Sequence, residues 1–164
     1  MSTDLIEITG DIWKFHAKGK LTILTTNGVR NSRGECVMGA GIAKQAKVKF
    51  PYFPRVLGDH LVKYGNVVGI FPECGFITFP VKDHWADQAD MDLIERSARD
   101  LHRLIATVDG FTNRLSETMG VWLDSSIPIV SVRPGCGNGG LKWADVKPVI
   151  TPWFAPLDIN IVNL

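Results

Sequence analysis

Hydrophobic and polar positions alternate between two periods along this chain. Leu5 to Thr9 alternates weakly and predicts an entry strand ended by Gly10, and Leu21 to Thr25 predicts a second short strand. Asn27 to Gly34 is polar and contains glycine, so it predicts a loop. From Gly41 the period changes. Ile42, Ala43, Ala46 and Phe50 recur at three and four residues, and Pro51 closes that helix. Pro54 opens another helix that should end near Tyr64 and Gly65. Val67 to Phe71 and Phe76 to Phe79 predict paired strands around the turn "PECG". A long helix follows from Asp92 to Val108, with Asp92 and Glu95 as a capping box. Its apolar stripe is Leu93, Ile94, Leu101, Leu104, Ile105 and Val108. "DGFTNRLSETMG" predicts a long polar connection. Ile127 to Val132 predicts a buried central strand. A helix from Trp143 to about Ile150 and a last strand from Ile159 to Val162 complete the series. Strands that alternate with helices predict a layered α/β domain.

A length of 164 residues suits one domain over 1–164, with a substantial core. Apolar residues make up 45% and charged residues 21%, and the formal net charge of +1 argues against a globally basic nucleic-acid binder. No apolar run is long enough to cross a membrane, so no membrane partner is expected. The start, "MSTDLIEITG", lacks the pattern of a signal peptide. Three cysteines, Cys36, Cys74 and Cys136, form no C-x-x-C pair. Neither a disulfide framework nor a zinc site is expected, and a reducing cytoplasm is the natural setting. No cofactor and no metal are called for.

Two glycine clusters carry the candidate chemistry. "CVMGAGIAKQ" and "RPGCGNGGLKW" each lie between an expected strand and an expected helix. Glycines there let the backbone approach closely, and a helix N-terminus offers unpaired N–H groups to an anion. Each loop alone reads equally well as a tight strand-to-helix turn. Two of them at one sheet edge could hold a diphosphate. Gly135, Gly137 and Gly140 also satisfy G-x-G-x-x-G, but the further strand and acid of a dinucleotide fingerprint have no room. No Walker sequence, H-E-x-x-H or G-x-S-x-G is present. The third feature is "FITFPVKDHW". Lys82 follows a strand and a proline and could act as a phosphate ligand or a nucleophile. The commoner fate of such a lysine is a solvated surface. His84 could serve as general acid or base, although a half-buried histidine beside Trp85 is commoner. Lys44, Lys47 and Lys49 read as the solvated face of their helix.

Taken in order, these segments resemble the macro domain, an ADP-ribose-binding α/β/α fold. "ITGDIWKF" is similar to its early Gly-Asp-aliphatic motif, "MGAGIA" to its first phosphate loop and "GCGNGGLKW" to its second. The likeness is greatest to the branch with terminal ADP-ribose glycohydrolase and the bacterial DNA ADP-ribosyl glycohydrolase antitoxins. That branch carries a lysine in an "FPxKxHW"-like segment. The resemblance implies a three-layer α/β/α domain with a mixed central sheet. It implies that Asp11 takes the adenine amino group, that the Ile12 backbone lies beside the ring and that Asn27 contacts a ribose. Met38, Gly39, Ala40, Gly41 and Ile42 would form the first phosphate loop. Pro134, Gly135, Cys136, Gly137, Asn138, Gly139, Gly140 and Leu141 would form the second. Lys82 would be catalytic at the distal ribose, with His84 beside it.

Protein-directed members carry an aspartate where this chain has Gly139; DNA-directed members have glycine, as here. "GVRNSRGE" departs from the family pattern, and the connection from Gly110 to Gly120 is extra. The implied activity is removal of ADP-ribose from a conjugate, on a nucleobase sooner than on a protein side chain. The implied partners are ADP-ribose or an ADP-ribosylated substrate, and a paired ADP-ribosyltransferase toxin. Dephosphorylation of ADP-ribose 1″-phosphate, a non-catalytic ADP-ribose reader, and a domain whose glycines are only turns are the alternatives.

Overall fold

The structure, a computed structural model, describes residues 4–106 and 128–163. In chain order the elements are β1 (Ile6–Thr9), α1 (Ile12–Ala17), β2 (Leu21–Thr26), α2 (Gly41–Lys49), α3 (Phe53–Tyr64), β3 (Gly69–Phe71), β4 (Phe76–Pro80), α4 (Met91–Ala106), β5 (Ile129–Ser131), α5 (Trp143–Phe154) and β6 (Asn160–Asn163). A single 3-10 turn, Ala155–Leu157, joins α5 to β6. The described strands form one six-stranded sheet in the order β1-β6-β5-β2-β4-β3. Every neighbouring pair is parallel except β3 with β4, so the sheet is mixed.

Successive side chains of a strand point to opposite faces, and that alternation builds the layers. Leu21, Ile23, Ile77, Phe79, Ile129 and Ile161 face the side covered by α4 and α5, where Ile94, Leu101, Val146 and Phe154 meet them. Leu24, Phe76, Val130 and Val162 face the other side, against Ala43 and Ala46 of α2 and Phe53 and Leu57 of α3. Both faces are apolar, so the central strands read as near-continuous hydrophobic runs. The result is a three-layer α/β/α sandwich.

Several boundaries differ from the sequence reading for identifiable reasons. Helix α1 was not expected. It is six residues long and buries only Ile12, too little for a helical period to register. The cap of α4 is Asp90, not an Asp92–Glu95 box. Asp90 Oδ1 accepts from the N–H of Asp92 at 2.9 Å and of Leu93 at 3.4 Å, so Asp92 already lies inside the helix. Helix α5 runs past Ile150 to Phe154 despite Pro148 and Pro152. Both prolines are exposed, so the carbonyls they leave unpaired reach water, while Val146, Ile150 and Phe154 hold the buried face. Val108, the polar connection after it and the start of the strand at Ile127 lie outside the described residues.

Because β1, β6, β5, β2 and β4 run parallel, their carboxyl ends share one edge. In open α/β sheets that edge is where ligands bind. Here it receives the start of α1, both glycine loops and the Lys82 segment.

Candidate functional site

A cavity of about 680 Å³ opens at this edge, within the size range of small-molecule sites. Its walls come from Gly10 to Trp13, the ends of β2 and β4, and the two glycine loops.

The first glycine loop feeds α2. Ala40, the N-cap residue, is extended, and no side chain caps the helix. The N–H groups of Gly41, Ile42 and Ala43 therefore have no partner among the described residues. All three residues line the cavity, with Gly39 and Ala40. A Cβ at Gly39 would meet nothing within 4 Å, so the backbone is bare there. Gly41 sits at φ +57°, in the left-handed region. Met38 is buried and anchors the loop from behind.

The second loop is built differently. It hydrogen-bonds to itself: Cys136 N–H to Arg133 O (3.3 Å), Gly140 N–H to Gly137 O (3.1 Å) and Leu141 N–H to Gly135 O (2.9 Å). Ala89 N–H also donates to Gly139 O at 2.9 Å. The N–H groups of Gly135, Gly137, Asn138 and Gly139 have no partner among the described residues, and all four residues line the cavity. Pro134, Cys136, Gly140 and Leu141 are not on its wall. A Cβ at Gly137 would meet nothing within 4 Å, but one at Gly139 would lie 2.5 Å from Gly135 O and 2.7 Å from Ala89 Cβ. The two loops lie close together where a Cβ on Gly41 would be 3.1 Å from Asn138 Nδ2.

Lys82 leaves the end of β4 and lines the cavity. Its Nζ donates to the carbonyls of Asp87 (3.0 Å) and Trp85 (3.3 Å). An ammonium has three N–H donors, so one remains for the cavity. The lysine is half-buried rather than a freely solvated surface group. His84 is exposed, not half-buried, and lies off the cavity wall; its Nδ1 accepts from Ala86 N–H at 3.1 Å.

At the far end, Asp11 caps α1 by accepting the Trp13 N–H on Oδ1 at 3.0 Å. Ile12 begins that helix, where an N–H has no intrahelical partner. Asn27 lines the cavity, but both ends of its amide are engaged. Nδ2 donates to Val37 O and Oδ1 accepts from Val29 N–H, each at 2.9 Å. These bonds hold the turn that leads into the first loop and leave one Nδ2 hydrogen and one Oδ1 lone pair over.

Other wall residues were not singled out from the sequence. Trp13 Nε1 donates to Gln45 Oε1 at 2.6 Å, tying α1 to α2 beside Asp11. Arg133 lies over the Trp143 ring at 5.2 Å and pairs with Glu7 at 3.4 Å. Glu7 also accepts from Lys147 (2.8 Å), Trp143 (3.1 Å) and Asn163 (3.4 Å). The Lys147 bond first, with the other donors, holds its carboxyl below the ordinary value of 4.5. The loop thiols are not activated. Burial pushes Cys36 up to about 12 and raises Cys136 as well.

No family sequence model matches the chain, and no curated protein does. Solved structures do match. The macrodomain of Mycobacterium tuberculosis DarG superposes with a TM-score of 0.67 at 25% identity, over 96% of this chain and 95% of that one. The macrodomain of Thermus aquaticus DarG gives 0.67 at 24% identity, over 98% and 97%. The chain folds as a macrodomain. Thermosipho africanus DarTG, solved in complex with ADP-ribose, matches with a TM-score of 0.64 at 20% identity. That match covers 99% of this chain and 42% of the other, so the present macrodomain spans less than half of that protein.

Proposed function

We propose that this macrodomain binds ADP-ribose and hydrolyses the bond between its distal ribose and a nucleobase. One observation carries the reading. Two sets of unpaired backbone N–H groups, at Gly41 to Ala43 and at Gly137 to Gly139, face the same cavity, and Lys82 stands on its wall. Backbone donors at a helix start and in a glycine turn suit the oxygens of a diphosphate. Asp11 Oδ2 is available for the adenine amino group, and Ile12 N–H for a ring nitrogen. Held in this way, the distal ribose lies toward the β4 end, within reach of Lys82. Water adds to C1″, the C1″–N bond breaks and the base leaves with a proton. The free N–H of Lys82 orients the ribose and donates toward the leaving base, offsetting the negative charge that builds there as the C1″–N bond breaks.

Gly139 supports a base-linked substrate. Protein-directed relatives carry an aspartate at this position, and here a side chain would collide with Gly135 and Ala89. A route that depends on that carboxylate is closed. The likeness of its motifs to the DNA-directed branch agrees, and with it comes a paired ADP-ribosyltransferase toxin as the expected partner.

The test is release of ADP-ribose from ADP-ribosylated single-stranded DNA, from glutamate-ADP-ribosylated protein and from ADP-ribose 1″-phosphate. Release from the DNA alone is the expected result. Phosphate release from the third compound without action on DNA would replace the reading with a phosphatase. ADP-ribose binding without turnover on any of the three would make the protein a reader.

A further inference from the structure

Trp85 is unusual among the large apolar side chains. Five of them are well exposed among the described residues: Ile6, Val48, Tyr52, Val62 and Trp85. Only Trp85 also lines the cavity, and 55% of it remains open to solvent. A ring that is part wall and part surface stands at the mouth. The loop that presents it is firmly tied. Asn66 Nδ2 donates to Lys82 O (3.1 Å) and Asp83 Oδ1 (2.8 Å), and Gly28 N–H donates to Asp83 O (2.9 Å). Asp87 N–H closes the turn on His84 O at 3.1 Å. The Trp85 carbonyl itself accepts from Lys82 Nζ at 3.3 Å. The Trp85 backbone is therefore held close to the ammonium. The His84 ring lies beside it, 5.1 Å between centroids and tilted by 30°.

We propose that Trp85, flanked by His84, is the platform on which the leaving nucleobase stacks, and that it gives the site its selectivity for a planar leaving group. The inference rests on the hydrolase reading above. If Lys82 acts at C1″, the group attached to C1″ lies next to Lys82 and toward the mouth, where the aromatic pair stands. A flat base matches a flat ring; a flexible carboxylate side chain or a phosphate does not. Base–aromatic stacking tolerates any base because each has a π-face. Trp85 acts as a positioning residue, with no bond made or broken on it.

The experiment measures steady-state release from ADP-ribosylated single-stranded DNA by the wild type and by Trp85→Ala, Trp85→Leu and Trp85→Phe. Calorimetry with free ADP-ribose is run on each. Trp85→Ala and Trp85→Leu are expected to lower kcat/KM about tenfold or more, mainly through KM, as loss of one stacked base would. That loss should exceed any loss of ADP-ribose affinity, and Trp85→Phe should recover most of it. Wild-type rates in Trp85→Ala, rescue by Leu as complete as by Phe, or equal losses for DNA and free ADP-ribose would each overturn the platform and leave the hydrolase reading intact. A wild type that binds ADP-ribose but releases none from DNA would overturn both.

Discussion

In the first glycine loop, donors are free because a helix begins without a capping side chain; in the second, four are free among the described residues while the other three are tied into a closed turn. The first has an alanine at its N-cap, which offers no side-chain acceptor to those donors. The second has a packed floor, where Gly139 fits between Gly135 O and Ala89 Cβ. Gly39 and Gly137 are bare for another reason: their missing side chains leave cavity space. A single residue type thus does three jobs: freedom of φ at Gly41, close packing at Gly139 and open space at Gly39 and Gly137. In the proposed reading the loops are complementary supports for one anion, one mounted on a helix dipole and the other on a rigid turn.

Substitutions can separate these jobs. The largest effect belongs to Gly139→Ala, which forces a methyl into a filled space. Overpacking of this kind costs about 1–3 kcal/mol, read as a lower urea midpoint with weakened ADP-ribose binding. Gly139→Asp should be worse, and Ala89→Gly should relieve part of the Gly139→Ala loss. An unchanged midpoint in Gly139→Ala would break the distinction between packed and open glycines. Gly137→Val is the converse case. It should leave stability within about 0.5 kcal/mol, as ordinary surface changes do, and lower ADP-ribose affinity about tenfold or more, equal to about 1.4 kcal/mol. Gly41→Ala is expected to cost about 1 kcal/mol of stability from the left-handed backbone, with a modest loss of affinity as Asn138 shifts.

The smallest effect concerns the anchor of the second loop. Arg133, at its start, is held by Glu7, whose side chain is 26% exposed. The Glu7 carboxyl is depressed below 4.5, so its contribution to stability is present above that pH and is lost as pH falls below it. Glu7→Gln should therefore flatten the fall in urea midpoint between about pH 5 and pH 3. A fall identical to that of the wild type would show that the anchor does not contribute.

Much of the layered fold was legible in the sequence because its signals are local. The stripe of α4 and the β-branched run of β5 predict their own burial. The motif order pointed to a macrodomain with a mixed sheet, and the structure has that sheet. The illegible parts depend on contacts between distant positions. Whether a glycine faces open cavity or a packed floor depends, for Gly139, on Ala89, fifty residues earlier. The Trp13–Gln45 bond and the Glu7–Arg133 pair join residues far apart in the chain, and no motif announces them. Asn27 lines the cavity, where its motif position put it, but the turn that its amide holds through Val29 and Val37 was not legible in the motif. His84 sits correctly in the motif and outside the cavity wall, because the bend at Asp83 turns it to solvent.

The central claim is that the glycine loops bind and Lys82 does the chemistry. The most direct measurement pairs calorimetry of ADP-ribose with release from ADP-ribosylated single-stranded DNA, both on Lys82→Ala. The account predicts that ADP-ribose still binds and that release is lost. Undiminished release, or binding lost together with release, would contradict it.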